Sequence, residues 1–331
     1  MENSLMNRVF AIDVIRIISA ISVIILHSFA IYTGSWHKPI AFEYIRLYDL
    51  IGHFFSTFAV PSFVAIAGFL FQKSNNSNFH SFIYKKLKRL ILPSLVFSYL
   101  YILLFKHFDG WTSVMEIVNG AGHLWFLPML FWCYILAFIM KYVLNLKLKW
   151  LILISIILLG LQIFDVPLGV SRCFAYFVYF VLGALIWEYE LLIPHNKDNV
   201  CVTASLLIVF IISFSFSIFI ADFPKSAFVS LCGKIGKYVN GIISTLIIFL
   251  LAEWLALRVK NKKTLIRISS CTMGVYILQQ FILMLMLYKI QVSRYISPLL
   301  LPWAIFIVTL TLCYIFTIIA LKTKIGRALL A

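Results

Sequence analysis

Apolar runs of about 18 or more residues with few charges recur from one end of this 331-residue chain to the other. As a helix rising about 1.5 Å per residue, each run is long enough to cross a hydrocarbon core about 30 Å thick. Only 12% of the residues are charged and 63% are hydrophobic, against roughly 25% charged in an ordinary soluble domain. Water cannot solvate such a surface, so the sequence predicts an all-α, polytopic transmembrane helix bundle. Ten spans are expected, at 9–32, 50–72, 90–106, 123–140, 150–164, 170–187, 200–221, 239–257, 266–288 and 299–321. The first carries Asp13 and Arg16 and has no small-residue cleavage site, so it reads as a retained helix and not a secretory signal. No repeat, low-complexity run or Gly/Ser linker divides the chain, and residues 1–331 are expected to form a single membrane domain.

A formal charge of +16 raises the question of nucleic acid, but no basic stripe interleaved with aromatic residues stands outside the apolar segments. Topology explains the charge better. With a cytoplasmic N-terminus, eighteen of the 28 Lys and Arg fall on the inside, among them Arg8, Lys85, Lys86, Lys88, Arg89, Lys197 and Arg258. Nine fall outside, including Lys38, Arg172, Lys225 and Lys237. That excess places both termini in the cytoplasm. The stretch 222–240 fits the pattern least well and admits a short interfacial helix. The six cysteines lie singly in or beside apolar segments with no metal-ligand spacing, so they read as small hydrophobes and no metal is expected.

Ionisable groups within a span cost about 2.5–3.5 kcal/mol at the helix centre, so each needs a partner or a task. The first span holds three. Asp13 and Arg16 are close enough along a helix to pair, and Arg16 and His27, eleven residues apart, fall within about 20° of one another on the same face. About 16 Å of rise separates them, placing Arg16 toward the cytoplasm and His27 toward the outer face. The plainer reading is an Asp–Arg pair that fixes packing, with His27 hydrogen-bonded to a neighbouring helix. Before the third span, Lys86 and Arg89 lie one turn apart and suit phosphate groups, although positive-inside clusters are common in such proteins. Gly122 to Pro128 opens the fourth span, with His123 expected at the outer interface and Trp125 in the aromatic belt. The small residues of 59–70 read as packing. Glu253, Gln279 and Gln280 read as interhelical hydrogen-bonding groups.

Taken together, five motifs resemble the acyltransferase-3 family, the membrane O-acyltransferases of bacterial surface polysaccharides. They are Arg8-x4-Asp13-x2-Arg16 with His27; Val60-Pro61 running to Gly68-Phe69-Leu70; Lys86-x2-Arg89-x3-Pro93; His123 to Leu127; and Gly274 to Leu278. The resemblance covers nearly the whole chain. It implies transfer of an acyl group, usually acetyl from acetyl-CoA, to a hydroxyl of a polysaccharide or lipid-linked sugar, in a multi-pass protein of the bacterial inner membrane. It implies catalytic roles for His27, Arg16 and Asp13. Lys86 and Arg89 match its basic pair and are expected to hold the acyl-CoA, with His123, Trp125 and Gln279 as candidates on the substrate side.

The sequence departs from the family at two places: Gln279 stands where many relatives have histidine, and Ala67 where serine is common. An amide cannot shuttle protons as imidazole does. The chain stops about ten residues after the last span, so no esterase-like soluble domain is expected; either the membrane domain completes transfer or a separate periplasmic transferase partner does. The rival reading from another class is a transporter or flippase for lipid-linked sugars, whose buried charges would line a path. Against it, the sequence has no inverted repeat, and its buried charges gather on one helix.

Overall fold

A computed structural model describes residues 2–74, 78–164, 166–190, 198–224 and 226–330. Lys197 and Lys225 lie outside the described residues, as does the side chain of Arg8. The described chain is an all-α bundle. Its helices are α1 (Glu2–Ser28), α2 (Arg46–Lys73), α3 (Phe79–Lys86), α4 (Leu92–Phe105), α5 (Gly110–Asn119), α6 (Phe126–Phe138) and α7 (Leu148–Leu161). They continue with α8 (Val170–Glu188), α9 (Asp198–Ala221), α10 (Ala227–Arg258), α11 (Lys262–Ser270), α12 (Thr272–Met284), α13 (Leu301–Ala320) and α14 (Lys324–Leu330).

Among the described residues, nine helical segments are long and apolar enough to span a membrane. The tenth expected span, 150–164, is the 14-residue α7, about 21 Å long and shorter than the hydrocarbon core. Its neighbours nevertheless require it to cross. At one end Arg172, at the start of α8, lies 5.0 Å over the ring of Trp125, at the start of α6. At the other end Lys141 donates to Gln72 and Gln72 donates to Glu188, at 3.1 and 2.8 Å. α6 and α8 therefore run the same way, and α7 must return the chain between them. α14 packs against the segment beside Arg89, and Arg16 of α1 faces that same end, so both chain ends lie at one end of the bundle, called inner below.

Three span boundaries differ from expectation. The third span begins at Phe79, well before residue 90, because α3 continues through a π-helical turn, Leu87–Ile91, into α4. Pro93 explains the turn: its ring would clash with the carbonyl four residues back in a regular helix, and the wider π turn relieves the clash. Lys86 and Arg89 thus lie within the helix and not ahead of it. The ninth span begins at Thr272, since Cys271 separates α11 from α12. The segment 222–240 forms no separate interfacial helix; from Ala227 onward it is the first part of the 32-residue α10.

Lipid is as apolar as leucine, so association within the bundle rests on close packing and internal hydrogen bonds more than on burial of apolar surface. α2 and α8 show this directly. A Cβ on Gly68 would fall 1.8 Å from the carbonyl oxygen of Phe180, and one on Gly183 would fall 1.8 Å from that of Ala65. The two backbones touch through these glycines, as the small residues of 59–70 suggested, with Phe177, Phe180, Leu127 and Met129 fully buried beside them. Pro61 lacks an N–H and so frees the carbonyl of Thr57, which accepts from Ser244 of α10 at 3.3 Å.

Replacing Gly183 by Ala drives a side chain into backbone, and should lower stability by about 3 kcal/mol or more. Gly160, with open space around its Cβ position, is the control: Gly160→Ala should be neutral or stabilising by up to about 1 kcal/mol. Thermal unfolding of the two variants in one detergent compares them, and equal melting temperatures would contradict the α2–α8 contact.

Candidate active site

Two cavities lie along α1. The inner one, about 480 Å³, is lined by Arg16, Lys86, Arg89, Tyr134 and Ser269 among others. Arg16 is held by Asp13 at 3.3 Å, and Asp13 also accepts from Ser269 of α11 at 2.7 Å. The Lys86 ammonium rests 3.4 Å over the ring of Tyr134, a cation–π contact that fixes its direction. The π turn carries Lys86 and Arg89 to the same wall as Arg16. Three cations face one space, and the carboxylate of Asp13 is already engaged. Such a wall suits a polyanion, with Arg able to grip phosphate in bidentate fashion.

The outer cavity, about 560 Å³, is lined by His27, His123, Trp125, Tyr176, Tyr238 and Tyr276, with Tyr44, Arg46, Asp49, His53, Asp222 and Lys237 toward its mouth. His27 stacks on Trp36, with 5.5 Å between ring centroids and 11° between planes. Its Nδ1 lies 3.0 Å from Oε1 of Gln279. This hydrogen bond with the amide of α12 holds the imidazole ring in place. His123 is 6.3 Å from His27, ring to ring and edge-on. It stands at the start of its span and is only 4% exposed, buried within the bundle. The 3₁₀ turn Gly122–Trp125 tucks it beneath α12, where its main-chain N–H donates to Gln280 at 2.7 Å and its carbonyl accepts from the Tyr276 hydroxyl.

The cavities are separated by a wall of rings. Tyr276 lines both, and it packs edge-on against Phe126 (5.3 Å) and Phe63 (6.3 Å), which contact each other at 6.0 Å. The cationic cavity and the imidazole-bearing cavity thus lie on opposite sides of one aromatic layer.

The structure brings the sequence candidates together in two groups. Arg16 and Asp13 join Lys86 and Arg89 at the inner cavity, a helix length from His27. His27, His123 and Trp125 share the outer cavity, and Gln279 stands behind His27. Sequence reasoning missed Gln280 as the support of His123, Tyr134 under Lys86, Trp36 against His27, and Ser269 on Asp13. It also missed Asp49 and His53, an i,i+4 pair at 3.0 Å to which Tyr44 adds a hydrogen bond of 2.7 Å to Asp49. Their spacing at the start of the second span was the available signal.

No curated protein and no solved structure matches the chain. A family model described as an acyltransferase domain matches residues 9–318, which includes both cavities and nearly every helix. With the helix bundle and this match together, the chain belongs to the acyltransferase-3 family of membrane acyltransferases.

Proposed function

We propose that the protein transfers an acetyl group from cytoplasmic acetyl-CoA to a hydroxyl of a surface polysaccharide, or of its lipid-linked precursor, at the bacterial inner membrane. O-antigen, enterobacterial common antigen and exopolysaccharide sugars are the acceptors of this class. The observation that carries the reading is the course of α1: it brings Arg16 into a cationic cavity at one end and His27 into an aromatic, imidazole-bearing cavity at the other.

Arg89, Arg16 and Lys86 hold the phosphates of the donor, which arrives from the side where acyl-CoA is made. Its long, thin arm then directs the thioester past Tyr276 toward His27. The His27 imidazole, held by Gln279, acts as base to the acceptor hydroxyl or accepts the acyl group itself. Tyr176, Tyr179 and Tyr238 supply rings and hydroxyls suited to a sugar, and the ionic rim of Asp49, His53 and Lys237 meets it at the mouth. Gln279 moves no proton; it orients the imidazole, which is a role an amide can fill.

Glycan O-acetylation, read by NMR or mass spectrometry in cells with matched membrane levels of the protein, tests this directly. His27→Ala should lower it by at least about 10²-fold. Equal acetylation with the variant, or none with the wild type, would turn the reading toward transport or assembly. In membranes, Arg89→Met should raise KM for acetyl-CoA by about tenfold to a hundredfold while changing kcat little, as expected for loss of one charge-assisted phosphate contact. An unchanged KM would remove the inner cavity from donor binding.

A further inference from the structure

We propose that His123 is a second catalytic histidine, the base that takes the proton of the acceptor hydroxyl, while His27 receives the acyl group. This rests on the acyl-transfer reading above and divides its outer site into a donor-side and an acceptor-side imidazole.

Every polar atom of His123 but one is engaged. The main-chain N–H and carbonyl are bound by Gln280 and Tyr276. Its Nε2 lies 3.0 Å from the carbonyl of Ile277, which can only accept, so Nε2 carries the proton. The lone pair is therefore on Nδ1, and that atom is buried without a hydrogen-bond partner. A buried acceptor left unpaired is costly, and such atoms call for an explanation. Among the described residues with such an atom, only His123 and Asn240 line the outer cavity, and of those two atoms only Nδ1 is basic. Three independent hydrogen bonds fix this residue in the wall of the cavity that His27 shares, and leave Nδ1 as its one unengaged basic atom.

The two rings divide the chemistry by what holds them. His27 presents Nε2, backed by a neutral amide. Its lone pair attacks the thioester carbonyl carbon; the N–C bond forms, the C–S bond breaks, and the thiolate leaves with the electron pair. The acceptor oxygen then attacks the acyl carbon as its proton passes to His123 Nδ1. The O–C bond forms, the C–N bond breaks, and His27 regains its lone pair. His123 returns its proton to the thiolate, so thioester and alcohol become ester and thiol. Rings 6.3 Å apart leave one acceptor oxygen within hydrogen-bond reach of one and bonding reach of a group on the other.

The test separates the two halves in the full-length protein. His123→Gln keeps a donor for the Ile277 carbonyl and removes the basic nitrogen. Membranes carrying wild type, His123→Gln or His27→Ala are assayed for exchange of label between acetyl-CoA and radiolabelled CoA without acceptor. They are also assayed for capture of the acetyl group by hydroxylamine, a nucleophile that needs no base. Glycan O-acetylation is measured in the same cells. His123→Gln should retain exchange and hydroxylamine capture within about threefold while losing glycan acetylation by about 10²–10⁴-fold; His27→Ala should lose all three. If His123→Gln, at an unchanged melting temperature, loses exchange and acetylation equally, or loses neither, the assignment to the acceptor side is overturned. A wild type with no exchange but normal acetylation overturns the covalent half. A wild type with neither overturns the acyl-transfer reading as well.

Discussion

Two adjacent amides on α12 hold the site together. Successive residues on a helix point about 100° apart, so Gln279 and Gln280 face different neighbours: the first meets His27 of α1, the second meets the main chain of His123. In a bilayer a polar group that turns outward finds no water, and an unpaired one costs several kcal/mol. The amides are therefore tied to the bundle interior, and each fixes one imidazole. Tyr276, one turn earlier, adds its hydroxyl to the His123 carbonyl and its ring to the wall between the cavities. One turn of helix thus orients one histidine, positions another and forms part of the barrier beneath both.

Phe63, Phe126 and Tyr276 keep the cationic chamber apart from the imidazole chamber. Excluding bulk water strengthens each electrostatic contact within. On the inner side the same economy appears at Lys86, whose ammonium is steered by the Tyr134 ring in place of a carboxylate that would compete with an anion.

Irregular backbone places the functional groups. The π turn ahead of Pro93 rotates Lys86 and Arg89 onto the wall shared with Arg16, and the 3₁₀ turn Gly122–Trp125 carries His123 inward from the rim. Pro61 leaves the Thr57 carbonyl free, and the Ser244 hydroxyl of α10, bonded at 2.6 Å to Asn240, approaches it to 3.3 Å near the outer cavity.

The sequence alone determined the class and the polar inventory. Long apolar runs left membrane helices as the only way to satisfy the backbone, and buried Asp13, Arg16 and His27 on one face of α1 announced a site, because lipid makes unexplained charge costly. The spacing of Lys86 and Arg89, and the adjacent glutamines, were legible for the same reason. Tertiary structure decided which groups meet. Gly68 and Gly183 were visible as small residues, yet that they press on the carbonyls of Phe180 and Ala65 depends on how two helices 112 to 118 positions apart cross. His123 read as lying at the outer interface; that it is buried there with its Nδ1 unpartnered depends on the packing of α12, some 150 residues later. Periodicity reports one helix at a time, whereas a site built from α1, the start of α6 and α12 is a property of their contact.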